Sequence, residues 1–179
     1  MPFSRFFKRR RFDDAANALY VALVEQSRQP AFYRDLGVAD TLEGRYDMII
    51  LHAYMLFRRL GKGDDGGLRE LSQETFDFMF NDMDQNLREM GVTDTGIGKR
   101  VQRMAEAFYG RTAAYDKALG QGGRALQQAL GRNLYQGVMV PAETEDRMAA
   151  YVLAQMAHLD TIADATLLTG QITFIPLAE

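Results

Sequence analysis

The sequence predicts an all-α fold: a single helical bundle of about six or seven helices with little or no sheet. Three observations carry that expectation. Apolar side chains recur three and four residues apart over long stretches, most clearly Phe76, Met79, Phe80, Met83, Leu87 and Met90. Glycine and proline punctuate the gaps, at Pro30, across 61–67, at Gly91, across 120–123, at Gly137 and at Pro141. Only one segment, 171–176, is short, apolar and β-prone, and it is expected to pack across the helices. A chain of 179 residues with 47% apolar side chains is long enough for one domain with a sizeable core. Two parts are expected: a basic and aromatic segment over 1–12, and a helical domain over 13–179.

Residues 1–12 mix Phe3, Phe6, Phe7 and Phe12 with Arg5, Lys8, Arg9, Arg10 and Arg11. Asp13 and Asp14 follow, where a targeting peptide would have an apolar run. A solvated terminus is one reading. The other is a surface anchor built from Phe3, Arg5, Phe6, Phe7, Lys8, Arg9, Arg10 and Arg11, cations for anionic lipid and phenylalanines for the interface. Ribosomal RNA is a second anionic candidate.

Asp13 or Asp14 can cap a helix that runs to Gln29 and stops at Pro30. A loop with turns follows to Gly44, held down by Phe32, Tyr33, Leu36 and Val38. The next helix, capped by Asp40 or Thr41, reaches Leu60. Between Met48 and Phe57 it is apolar almost all round, which predicts central burial, with His52 as a hydrogen-bonded core residue. Arg58 and Arg59 are expected to face water beyond it. A helix over 68–90 carries Phe78 off its main apolar face. Gly91 ends it, and Thr93, Asp94 or Thr95 can cap the next helix, whose inner face is Val101, Met104, Ala105 and Phe108. Separate short helices are expected over 111–119 and 124–135. The last, over 142–168, has many alanines, which predicts close approach by its neighbours and a central place in the bundle.

Composition narrows the chemistry. Cysteine is absent, so disulfides, thiolate catalysis and cysteine zinc sites are excluded. The net charge is −3, which does not suit a nucleic-acid binder driven by overall charge. No nucleophile elbow, P-loop, zinc-helix or dinucleotide fingerprint occurs. No catalytic residue, cofactor or metal is expected, and no run of about 18 apolar residues suggests a membrane span. The turn between the helices around 91–98 is too long for a standard helix-turn-helix, so DNA is not an expected partner.

Several motifs together resemble the ubiquinol–cytochrome c chaperone family. They are D-M-D-x-N-L-R-E-M-G-V-x-D over 82–94, G-K-R-V over 98–101 and M-A-E-A-F-Y-G-R over 104–111. Phe32-Tyr33, Leu36-Gly37-Val38-x-Asp40-Thr41, Gly44-Arg45-Tyr46-Asp47-Met48 and Arg132-Asn133-Leu134-Tyr135 add to them. The resemblance spans about residues 30–165. It implies a helical chaperone with no enzymatic activity that binds newly made cytochrome b during biogenesis of the cytochrome bc1 complex. It also implies contact with the ribosome near the exit tunnel. Without a long transit sequence, the chain resembles a bacterial member acting in the cytoplasm, at the inner face of the plasma membrane. Met-rich apolar surfaces adapt to varied partners. Phe78, Met83, Met90, Val92, Met104, Phe108 and Tyr109, around the 91–98 turn, are therefore the client-binding candidates. Arg88, Lys99, Arg100 and Arg103 are the candidates for a polar rim or ribosome contact. A helical protein-interaction adaptor is the competing reading, with a DNA-binding regulator behind it.

Overall fold

The computed structural model describes residues 11–63 and 66–177. Within them lie eight helices and no strand: α1 (Asp13–Ser27), α2 (Pro30–Arg34), α3 (Leu42–Leu60), α4 (Gly66–Glu89), α5 (Asp94–Gln121), α6 (Ala125–Asn133), α7 (Ala142–Thr161) and α8 (Asp164–Leu168). Six of these have nine residues or more, while α2 and α8 have five residues each. The all-α expectation holds. The basic segment up to Arg10 lies outside the described residues.

Two cores share one central helix. Met48, Leu51, Tyr54 and Met55 of α3 pack with α2, α6, α7 and the C-terminal half of α5. Ile50, Ala53, Leu56 and Leu60, on the opposite side of α3, pack with α1, α4, α8 and Phe108. This is why α3 reads as apolar all round. Thr41 caps it by accepting the Gly44 N–H through its hydroxyl, as expected for a threonine N-cap. His52 is fully buried on α3. Its Nδ1 faces the Met48 carbonyl at 2.9 Å, so Nδ1 carries the proton, and Nε2 accepts from the Tyr151 hydroxyl at 2.8 Å. Burial pushes this imidazole down from 6.5 to about 4. The folded chain therefore holds His52 neutral, and that contribution to stability is lost as pH falls from the ordinary histidine value to about 4. With only two histidines in the chain, the His52 ring resonances can be followed by NMR. They are expected not to titrate until about pH 4. An ordinary midpoint near 6.5 would contradict the buried, neutral assignment.

Four local expectations are corrected. Phe12, rather than an aspartate, is the N-cap of α1; it is buried, and its N–H donates to Glu74 Oε2 at 3.0 Å. The helices expected to part at Arg111 are one continuous α5 of 28 residues, roughly 42 Å long. Phe108 anchors it in one core and Tyr115 and Ala118 in the other, which outweighs the cost of about 1 kcal/mol for Gly110 in mid-helix. Arg59 is buried rather than solvated. Its Nε donates to the Leu159 carbonyl at 3.0 Å, and its Nη2 donates to the Ile162 carbonyl and pairs with Asp164. That guanidinium satisfies the carbonyls where the expected 142–168 helix breaks, so α7 stops at Thr161 and α8 begins at Asp164. Finally, α7 is not the hub. Ala150, Ala154 and Ala157 face solvent beside Leu153, which is 51% exposed.

The apolar tail is extended and packs down as expected. Gln155, buried on α7, accepts from the Ile175 N–H and donates to its carbonyl, and Phe174 meets the His52 ring edge-on at a centroid distance of 5.7 Å. Among the described residues no helix is long and apolar enough to cross a membrane.

Candidate functional site

The C-terminal end of α3 and the middles of α4 and α5 bring five aromatic rings to one place. Phe76 lies 4.6 Å from Phe80, 5.5 Å from Phe108 and 6.0 Å from Tyr109, centroid to centroid. Phe57 meets Phe108 edge-on at 5.9 Å, and Phe108 meets Tyr109 edge-on at 5.4 Å. Edge-to-face and tilted pairing of this kind is favourable beyond simple burial, so the cluster holds its shape while part of it remains wet. Phe108 forms the floor, Phe57 and Phe76 are half-buried walls, and Tyr109 stands on the rim at 58% exposure. The groove they make encloses about 260 Å³ and is edged by Arg69, Ser72 and Gln73. It offers apolar faces with a few polar groups at the margin, an arrangement that binds an apolar segment.

The expected client-facing residues do not form one patch. Met83 and Phe108 are buried in the core, and Phe108 also forms the floor of the groove. Tyr109 lies in the groove. Phe78 is half-buried on a different side, in a depression of about 280 Å³ between α1 and α4 with Tyr20 and Val21. There the Tyr20 hydroxyl donates to Asp82 at 2.8 Å; burial first, then that carboxylate, raises the phenol's pKa. Met90 is 56% exposed at the α4–α5 turn, and Val92 and Met104 are half-buried. The polar-rim residues are all exposed. Arg88 pairs with Asp84 at 2.6 Å one helical turn away, whereas Lys99, Arg100 and Arg103 have no ion pair among the described residues. Of the lipid-facing candidates, Phe3, Arg5, Phe6, Phe7, Lys8, Arg9 and Arg10 lie outside the described residues. Arg11 pairs with Glu70 at 3.6 Å and lies over the Phe12 ring.

Phe57, Phe76 and Phe80 are half-exposed although their spacing in the sequence marks them as core. Each sits at core spacing on its own helix, and only the meeting of three helices leaves them half open. No cluster of potential metal ligands occurs among the described residues.

A second convergence is polar. Asp47, 1% exposed near the start of α3, pairs with Arg111 Nη2 of α5 at 2.8 Å and accepts from Gln136 Nε2 at 3.0 Å. Arg111 Nε also donates to the Asn133 carbonyl, and the Tyr135 hydroxyl donates to the Leu36 carbonyl at 3.0 Å. Burial pushes the Asp47 carboxyl up, and Gln136 and Arg111 pull it back. Gln136 has φ 52, a left-handed conformation costly for its side chain, and its bond to Asp47 holds it there. Asp47, Arg111 and the 132–135 stretch come from three motifs far apart in sequence, and here they are one junction.

Residues 34–174 match the family described as ubiquinol-cytochrome C chaperone. The chain belongs to that family. The match contains α3 to α8 and the junction, and leaves α1 outside it. Two curated relatives illustrate the breadth of the family. The "ubiquinol-cytochrome-c reductase complex assembly factor 1" of Xenopus laevis is 27% identical over 166 residues, covering 92% of this chain and 82% of that protein. "Protein CBP3, mitochondrial" of Saccharomyces cerevisiae is 28% identical over 151 residues, covering 81% of this chain and 44% of that one. The chain thus spans less than half the length of that yeast protein. The crystal structure of the Cbp3 homolog from Brucella abortus is similar throughout, with a TM-score of 0.82 and 35% identity over 93% of this chain and 92% of that one. In this member of the ubiquinol-cytochrome C chaperone family, the aromatic groove sits about one helical turn along α5 from the Asp47–Arg111 junction.

Proposed function

We propose that this chain is an assembly factor of the cytochrome bc1 complex that holds newly made cytochrome b through its aromatic groove, without catalysing a covalent step. Its family and the assembly-factor names of its relatives support the first part. The half-open rings of Phe57, Phe76 and Tyr109 support the second, since a hydrophobic client segment needs an apolar surface held open in water. Of the sequence candidates, Tyr109 carries the client contact, with Phe78 and Met90 on separate flanks. Lys99, Arg100 and Arg103 supply a cationic surface for the ribosome, and the basic, aromatic residues ahead of Phe12 rest on the inner face of a bacterial plasma membrane; Phe12 itself belongs to the helical domain as the buried N-cap of α1.

Genetic complementation tests this reading. In a strain lacking the chain, assembled bc1 complex is expected to fall and to be restored by the wild type. Tyr109→Asp, at an exposed position, is expected to accumulate normally and restore several-fold less complex. Normal assembly in the deletion strain would refute the assembly role; full restoration by Tyr109→Asp would refute the groove. The adaptor reading draws on one observation: the exposed large apolar residues Val21, Leu42, Met90, Tyr109, Val138, Met139 and Leu153 are spread over much of the surface. An adaptor would leave bc1 levels unchanged in the deletion strain.

A further inference from the structure

Residues 171–177 run on from α8 without helix or strand and lie where the two cores meet. Gly170, with φ 76, turns the chain out of α8 and sits so close to α1 that a Cβ would come within 2.7 Å of the Ala15 Cα. From that fixed pivot the segment follows the period of two of an extended strand. Ile172 and Phe174 pack against both cores, while Gln171 and Thr173 are exposed.

No strand lies beside this segment among the described residues, and side chains take the place of one. Gln155 of α7 accepts from the Ile175 N–H at 3.2 Å and donates to the Ile175 carbonyl, so it engages both main-chain groups of one residue as an antiparallel neighbour does. Gln26 of α1 donates to the same carbonyl at 3.2 Å, and His158 Nε2 donates to the Thr173 carbonyl at 3.0 Å. Gln155 is fully buried, and a carboxamide there is destabilising unless both its ends are paired. A leucine would fill the same space without that demand. What the glutamine adds is a grip on peptide backbone.

Two features make the grip transferable. It reads main chain, which every extended segment carries, and it asks only for apolar side chains two residues apart. The tail is also lightly tied. The Gln171 N–H bonds the Thr166 carbonyl, but beyond it the hydrogen bonds of residues 172–177 among the described residues all go to side chains. Opening the tail breaks these few bonds and leaves every helix intact.

We propose that the slot between α1 and α7, over the His52 ring, binds an extended apolar segment of another polypeptide, and that the chain's own residues 171–177 occupy it until such a segment displaces them. The partner is a stretch of chain that has not yet folded, with β-branched or aromatic side chains two residues apart and its main chain unpaired. This slot is separate from the groove around Tyr109 and does not depend on which client that groove takes.

A linked tail competes at an effective concentration of about 1 mM, so free peptide in modest excess over that can replace it. Added to the full wild-type chain at about 5 mM, a peptide with the sequence of residues 169–179 is expected to speed hydrogen exchange of the Ile175 amide roughly tenfold or more, and to leave the Met55 amide in the middle of α3 unchanged. The same peptide carrying Ile172→Asp and Phe174→Asp is expected to have no effect. In the full chain, Ile172→Asp/Phe174→Asp is expected to free the tail and to bind the labelled wild-type peptide about tenfold more tightly than the unaltered chain does. Adding Gln155→Leu is expected to weaken that binding about tenfold, through the loss of two hydrogen bonds. Unchanged exchange at Ile175, or equal acceleration by the two peptides, would overturn the proposal whether or not the variants fold. So would a folded tail-release variant that binds no more tightly than wild type, or one whose binding survives Gln155→Leu undiminished.

Discussion

An Arg111→Met variant is expected to lose about 3–5 kcal/mol of folding stability, because it strands a buried carboxylate. Asp47 is 1% exposed and is held by Arg111 and Gln136. Removing the guanidinium leaves the charge with one neutral amide. It also frees the Asn133 carbonyl and loosens the 134–138 stretch that Gln136 and Tyr135 hold. The pH dependence follows in sign. Burial already raises the Asp47 pKa in the folded chain, and loss of Arg111 raises it further. The folded variant then binds a proton more tightly than the unfolded chain, so its deficit grows as pH rises above the carboxylate range and shrinks on acidification. The double variant Asp47→Leu/Arg111→Met is expected to recover much of the loss, since no buried charge remains. Urea unfolding of the three proteins at neutral and mildly acidic pH measures this. Equal stability of wild type and Arg111→Met would show that the junction contributes nothing.

Gly44→Ala is expected to be nearly as damaging, at about 3 kcal/mol, for a purely steric reason. Gly44 is buried in the first turn of α3, and a Cβ there would run into the carbonyl oxygen of Ala39. Backbone cannot rotate away as a side chain can. Relief would pull the 39–41 segment from the helix start and break the bond from the Gly44 N–H to the Thr41 hydroxyl. Gly110→Ala is the contrasting control: a Cβ there meets nothing within 4 Å, and a helix interior favours alanine. It is expected to be neutral or stabilising, and thermal unfolding of both variants compares them.

Gly44 and Asp47 mark the limit of what the sequence made legible. Their motif was visible, but not that the glycine faces a carbonyl or that the aspartate meets Arg111, because those partners come from packing between distant segments. Periodicity located α3 and α4 well, since each shows its buried face in its own residues. It failed where one helix depends on another. Arg59 looked like a solvated end-of-helix cation, and only the carbonyls at the end of α7 reveal it as buried. The sequence suggests a separate helix from Arg111, and only the second core around Tyr115 explains why α5 continues through Gly110. The groove was half legible: Tyr109 was singled out, while Phe57 and Phe76 passed for core.

The proposed function places cytochrome b in the groove around Tyr109. A photocrosslinking amino acid placed at position 109 of the full chain, in cells making cytochrome b, tests it most directly. An adduct with cytochrome b is expected from position 109 and none from position 153 on the exposed face of α7. No adduct from 109, or equal adducts from both positions, would contradict it.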